Sequence, residues 1–221
     1  MSSLSKLANT LSSKKESKWP SFYQPFPLKI KDIEDPTNGG VLNEYIEKGI
    51  REEGDKYENR PEAKCLMTRW NMHDDYESFN LIGQAAIALA HSVPLAKRTT
   101  PEGDPQIVPL KIKESWGLIY SKGQFCNTHT HWPSLWSYTY CVKGNDCCPP
   151  LIFPDMQEAV NLSNGMDKGI VPHSNSAIVT KVGQMILWPA WLQHYVSVQE
   201  CDCDRIMIAG NLDTDWSNEP T

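Results

Sequence analysis

From Ile107 onward the chain runs in short segments of alternating hydrophobicity, and this pattern restricts it to a few β-rich architectures. The segments are 106–113, 115–121, 125–131, 135–142, 150–153, 177–182, 184–189, 193–199 and 205–211. Turn residues separate most of them: Lys122-Gly123, Lys143-Gly144-Asn145-Asp146, Asn164-Gly165, Val182-Gly183 and the Cys-Asp-Cys-Asp run at 201–204. Two helices are expected upstream. The first spans 43–53, with Tyr45, Ile46 and Ile50 on one stripe. The second is capped by Asp74 or Asp75 and runs to about Ser92, with Tyr76, Phe79, Ile82, Ala86, Leu89 and Ala90 repeating at three and four. Pro94 ends it. Short strands after two helices predict an antiparallel sandwich or barrel with helices packed outside. Residues 1–20, polar and without an apolar core, read as a mobile arm rather than a secretory signal. Residues 21–221 read as a single domain, with helical elements in 41–93 and a β core in 105–212.

Charge and length exclude some functions. The 221 residues carry a net charge of −6, and the pI is about 5.5. A general nucleic-acid or anionic-membrane binder would carry a basic face, and the clearest lysine cluster is only Lys14, Lys15 and Lys18. No apolar run reaches the 18 or so residues that a membrane helix needs. The seven cysteines, without a secretory signal, point to a reducing compartment, the cytoplasm of a bacterial or phage-infected cell. Two clusters stand out, Cys147-Cys148 and Cys201-Asp202-Cys203. Free thiols are the default expectation. A disulfide or a four-thiolate zinc site stays open, although the spacing is unlike a zinc ribbon.

Three of the six histidines form a constellation. His129-Thr130-His131 lies on an expected strand, where residues i and i+2 face one side. His194 lies on another strand 63 residues later. Two imidazoles from one strand and a third from a neighbour suit a metal site for Fe, Zn, Cu or Ni. His73 and His91 read as capping or exposed residues, and His173 as a loop residue. Trp132, Trp136, Trp188 and Trp191 cluster around the three histidines in sequence, as aromatic core or as the rim of a pocket.

Flanking residues carry a resemblance. Gly123, five residues, then His129-Thr130-His131 is similar to the opening of the first cupin pattern. Gly183, Pro189 and His194 are similar to the second, with Trp191 in the place of its glycine and Val198 in the place of its asparagine. The glutamate of the first pattern is missing, since Leu135 and Trp136 stand there. The segments SWGLIYSKGQFCNTHTHWPSLWSYTYCV, PLIFPD, VGQMILWPAWLQHYV and DRIMIAGNL, between Ser115 and Leu212, resemble in order the 2-oxoglutarate–Fe(II) oxygenases of bacteria and many phages. Trp188 replaces the phenylalanine of that pattern.

The resemblance implies a mainly β fold with flanking helices, a double-stranded β-helix (jelly roll, cupin-like) preceded by an N-terminal helical region. It also implies Fe(II) and 2-oxoglutarate as cofactors and a hydroxylase-type dioxygenase activity on an unknown substrate, a small molecule or a protein side chain. His129, His131 and His194 take the metal-ligand positions, with His131 where the usual enzyme has a carboxylate. Arg205, 11 residues after His194, takes the position that grips the distal carboxylate of 2-oxoglutarate. Tyr138 and Tyr140, on one strand face, are expected to add a hydrogen bond to that carboxylate, or else to pack in the sandwich. Two other functions stay open: a three-His dioxygenase that needs no 2-oxoglutarate, and a non-catalytic jelly roll for binding or particle structure. Oligomeric state is not encoded in any motif, and a homo-oligomer stays open.

Overall fold

Strand β6 (Leu110–Tyr120) and strand β13 (Arg205–Thr214) are the longest, and they pair antiparallel over their whole length. The sequence pattern breaks this region at Glu114, yet one strand runs through. A bulge at Lys113 absorbs the polar pair, since Asn211 faces Glu114 while Leu212 faces Ile112. The bulge also switches parity, so Leu110 and Ile112 before it face the same layer as Ile119 after it. The computed structural model describes residues 28–33, 41–56, 63–93, 97–99, 105–154 and 176–215. The expected arm at 1–20 and His173 lie outside these residues.

The remaining strands are β1 (Lys29–Asp32), β2 (Ala63–Lys64), β3 (Leu66–Met67), β4 (Lys97–Thr99), β5 (Pro105–Ile107), β7 (Phe125–His129), β8 (Trp136–Lys143), β9 (Leu151–Phe153), β10 (Ser176–Ile178), β11 (Gln184–Pro189) and β12 (His194–Val196). They build a six-stranded sheet ordered β1-β11-β8-β13-β6-β3 and a five-stranded sheet ordered β10-β9-β12-β7-β2, with β4 and β5 as a separate pair. All pairings between these strands are antiparallel. From β6 to β13 the chain crosses between the two large sheets after every strand except β9, as in a jelly roll. Gly123 and Gly183 take φ of +81° and +82°, so the two expected glycine turns form where a β-carbon is disfavoured.

Helix α1 (Val41–Glu53), the short α2 (Met72–Asp75) and α3 (Glu77–His91) cover the outer face of the large sheet. Helix α1 buries Leu42, Ile46, Gly49 and Ile50, the i, i+4, i+7, i+8 stripe of an amphipathic helix. Tyr45, expected on that stripe, is 63% exposed because Leu42 sets the buried face instead. Neither Asp74 nor Asp75 caps α3. Tyr76 is extended and breaks the helical run, leaving both aspartates in α2, with Asp75 paired to Arg69 at 2.6 Å.

The large sheet therefore buries both faces. Trp136, Tyr138, Tyr140, Met185, Leu187, Ile206, Ile208 and Leu212 meet the helices. Trp116, Leu118, Tyr120, Cys141, Ile186, Trp188 and Met207 face the small sheet and line the interior of the roll. Two-sided burial explains why β8 is apolar or small at nearly every position.

Candidate metal centre

Antiparallel pairing of β12 with β7 sets His194 opposite His129. His131 lies two residues past the end of β7, not on the strand as expected, but its backbone N–H donates to the Ala190 carbonyl at 2.8 Å. That bond ties the His129–His131 segment to the turn leading into His194. The ring centroids lie 4.3 Å apart for His129–His194, 4.9 Å for His129–His131 and 5.0 Å for His131–His194. One ligand nitrogen from each falls within 4.8 Å of the others. The sequence prediction that these three converge holds. His73 and His91 stand apart, His91 contacting the Val108 carbonyl through Nε2.

Backbone carbonyls fix the tautomers. Nδ1–H of His194 donates to Leu192 O at 3.0 Å, and Nδ1–H of His129 donates to Asn127 O at 2.8 Å. In both rings the lone pair then sits on Nε2, the arrangement by which outer hydrogen bonds orient metal-ligating imidazoles. Burial, followed by the neighbouring His129, pushes the His131 pKa down to about 3. Burial and the other two rings also hold His194 well below the ordinary value. Both are neutral near pH 7, as ligands must be. The donor set fits a divalent ion of the Fe, Zn or Ni kind.

Aromatic residues wall the centre. Trp188 lies 4.9 Å from His194 and Trp116 5.7 Å from His131, and Phe153 closes the side at 6.1 Å from His194. The indole N–H groups of Trp116 and Trp188 are buried without a hydrogen-bond partner among the described residues. Of the tryptophans expected at a rim, Trp132 and Trp191 are exposed, while Trp136 turns to the helices.

Arg205 occupies the same interior. It is the first residue of β13 and shares a face with Met207 and Ala209. It is only 2% exposed, and its Nε has no hydrogen-bond partner among the described residues. Among the described residues it forms no ion pair; its guanidinium sits 5.3 Å from the Tyr120 ring centroid. Ala209, four residues on, pairs with Trp116, which packs on His131. Arg205 thus starts about 13 Å along the strand from the level of the histidines.

Tyr138 and Tyr140 do not join it. They alternate with Ser137, Thr139 and Cys141, so they face the helices. Tyr138 donates to Ser115 Oγ at 3.1 Å and Tyr140 to Asn43 Oδ1 at 2.8 Å. Their expected contact with a cosubstrate is corrected by strand parity. Sequence reasoning missed Tyr120, Trp116 and Phe153; the alternation Trp116-Leu118-Tyr120 was the available signal for the first two.

Residues 114–211, a little under half of the chain, match the family described as "Putative 2OG-Fe(II) oxygenase". The jelly-roll core is thus similar to the 2OG-Fe(II) oxygenases over that stretch. Solved structures with the same fold include a prolyl-4-hydroxylase from Pseudomonas putida (TM-score 0.56, 10% identity, 96% of this chain and 99% of that one). The viral collagen prolyl hydroxylase vCPH of Paramecium Bursaria Chlorella virus-1, in its 2OG complex, aligns with a TM-score of 0.55 and 12% identity, covering 84% of this chain and 94% of that one. HygX from Streptomyces hygroscopicus, with nickel and 2-oxoglutarate bound, aligns with a TM-score of 0.57 and 10% identity, covering 86% and 84%. No curated protein sequence matches the chain.

Proposed function

We infer that the protein is an Fe(II)- and 2-oxoglutarate-dependent oxygenase acting on an organic substrate, with His129, His131 and His194 as the metal ligands and Arg205 as the cosubstrate clamp. The observation that carries the clamp is the buried Arg205 guanidinium, whose Nε has no hydrogen-bond partner among the described residues. A buried unpaired charge is strongly unfavourable, and a dianion bound beside it removes that cost. Arg205 would hold the distal carboxylate with parallel N–H···O bonds, and the Tyr120 ring would keep the guanidinium aimed. The iron, when bound, supplies a Lewis-acid template and the oxygen redox chemistry.

Three neutral imidazoles leave both charges of the ion uncompensated. This favours an anionic cosubstrate more strongly than a His-carboxylate-His set would. Trp116 and Trp188 would shield the centre from water and place beside the histidines N–H donors that have no partner among the described residues. The exposed Trp132 and Trp191 lie close in sequence to His131 and His194, where a substrate would enter.

The test is 2-oxoglutarate binding to the Mn(II)-loaded protein by calorimetry. Arg205→Ala should weaken it at least tenfold, each charge-assisted bond being worth about 1.5–3 kcal/mol, while Mn(II) binding stays intact. Unchanged cosubstrate affinity in that variant would remove Arg205 from the site.

A further inference from the structure

The two cysteine clusters meet at the end of the roll. Cys147 and Cys148 lie on the β8–β9 connection, and Cys201 and Cys203 on the β12–β13 connection. Both connections carry the chain between the two sheets. All four cysteines are free thiols. The Sγ of Cys203 lies 2.9 Å from that of Cys201, 3.4 Å from that of Cys147 and 3.4 Å from that of Cys148. Cys147, Cys201 and Cys203 place their sulfurs within 4.8 Å of one another, with Cys147 open to solvent and Cys148 closing the buried side.

The sulfurs of Cys147, Cys201 and Cys203 form a metal-sized group, and Cys148 joins it through its contact with Cys203. Metal–sulfur bonds of about 2.3 Å give an edge of about 3.8 Å between ligands. Donors and acceptors both reach the sulfurs, the Cys147 carbonyl lying 3.3 Å from Cys201 Sγ. Gln199, fully buried, aims its Nε2 at Cys201 Sγ (3.2 Å), Cys203 Sγ (3.5 Å) and Cys148 Sγ (3.7 Å), and anchors itself on the Cys203 carbonyl at 2.6 Å. The Asn145 backbone N–H points at Cys148 Sγ at 3.5 Å. Asn145 Oδ1 accepts from the Cys147 backbone N–H at 3.1 Å and from the thiols of Cys147 at 2.8 Å and Cys203 at 3.3 Å, and the thiol contacts give way when the metal takes their protons. Hydrogen bonds from amides orient metal thiolates and offset their charge.

We propose that Cys147, Cys148, Cys201 and Cys203 hold a structural zinc(II) ion that clamps the β8–β9 and β12–β13 connections together. Four thiolates with tetrahedral geometry select zinc among the common divalent ions, and all four positions are filled by protein, which leaves no site for chemistry. Binding releases the thiol protons. The site is separate from the three histidines and does not depend on their role. Its clamp ends two residues before Arg205, so it fixes the start of β13.

The test is metal analysis of protein expressed in zinc-supplemented medium, in a His129→Ala/His194→Ala background that disables the imidazole centre. One zinc per chain is expected, lost in the added Cys201→Ser/Cys203→Ser pair. Cobalt(II) substitution of the unmutated protein gives a second readout that does not depend on any variant folding. A sulfur-to-cobalt charge-transfer band with tetrahedral ligand-field bands is expected, and imidazoles alone do not give it. Four of the seven thiols should also resist a thiol reagent until a chelator is added. Absence of the cobalt–thiolate band would overturn the proposal. So would a mass lower by two hydrogens per bridge, which would assign the sulfurs to disulfides instead.

Discussion

His194 stands directly opposite His129 across the β12–β7 pair, with ring centroids 4.3 Å apart. Register alone thus brings together two residues separated by 65 positions, and the Ala190 carbonyl brings His131 to the same point. If this is the iron centre, His194→Ala should reduce Fe(II) or Mn(II) affinity by two orders of magnitude or more. His91→Ala, which loses a contact with the Val108 carbonyl away from the centre, should leave it unchanged. Equilibrium dialysis of the two variants checks both expectations.

Arg205 makes a stability prediction as well as a binding one. Burying a guanidinium without a counter-charge destabilises the cosubstrate-free fold. Arg205→Met, similar in length and apolar, should therefore raise the denaturation midpoint of the free protein, by about 1–4 kcal/mol in unfolding free energy, while abolishing the stabilisation that 2-oxoglutarate confers. Urea melts with and without cosubstrate measure both effects. Such a trade between stability and function is expected where a charge is kept for a ligand.

Tyr138 lies on the opposite face of the sheet from Arg205, and its consequences are structural. Tyr138→Phe should leave 2-oxoglutarate affinity unchanged and cost about 0.5–1.5 kcal/mol for the lost bond to Ser115. Gly210 sits against its ring: a β-carbon there would meet Tyr138 Cζ at 2.4 Å. Gly210→Ala should cost about 1–3 kcal/mol by overpacking, and Tyr138→Leu should restore part of it in the double variant.

Two observations make tryptophan fluorescence a probe of metal loading. Trp188 lies 4.9 Å from His194, and Trp116 5.7 Å from His131. Binding of a paramagnetic ion at the histidines should quench part of the emission. Trp188→Phe should diminish that quench without changing the metal stoichiometry, and a titration of each protein with Co(II) in the Cys201→Ser/Cys203→Ser background reads it.

Helix α1 is tied to the β12–β13 turn by Arg51, which contacts Asp204 at 2.9 Å and Glu47 at 2.8 Å. The hydrogen bond from Arg51 holds the Asp204 carboxyl below its ordinary value of 3.8. Its stabilising effect is therefore present above about pH 3.8 and is lost as pH falls through the lower folded-state value. The residues are partly exposed, so the effect is about 0.2–1 kcal/mol. Asp204→Asn should flatten the acid limb of a stability–pH curve by that amount.

Particular residues show how far the sequence could be read. The jelly roll was legible because glycine turns and alternating segments are local signals, and Gly123 and Gly183 adopt the backbone they imply. The three-histidine group was legible because the spacing of His129 and His131 and the flanks of His194 are local too. The faces of β8 were not, since a strand buried on both sides offers no alternation to separate Tyr138 from Thr139. The continuity of β6 was also hidden, because a bulge at Lys113 and a turn look alike in sequence. The meeting of the two cysteine clusters depends on which connections share an end of the roll, a property of topology rather than of any segment.

The most direct test of the central claim is an anaerobic titration of metal-free protein with Fe(II) and then 2-oxoglutarate, followed by visible absorption. The iron–2-oxoglutarate chelate should give a charge-transfer band that saturates at one equivalent and is missing in His194→Ala. Iron binding without that band would contradict the account and favour a three-His centre that works without 2-oxoglutarate.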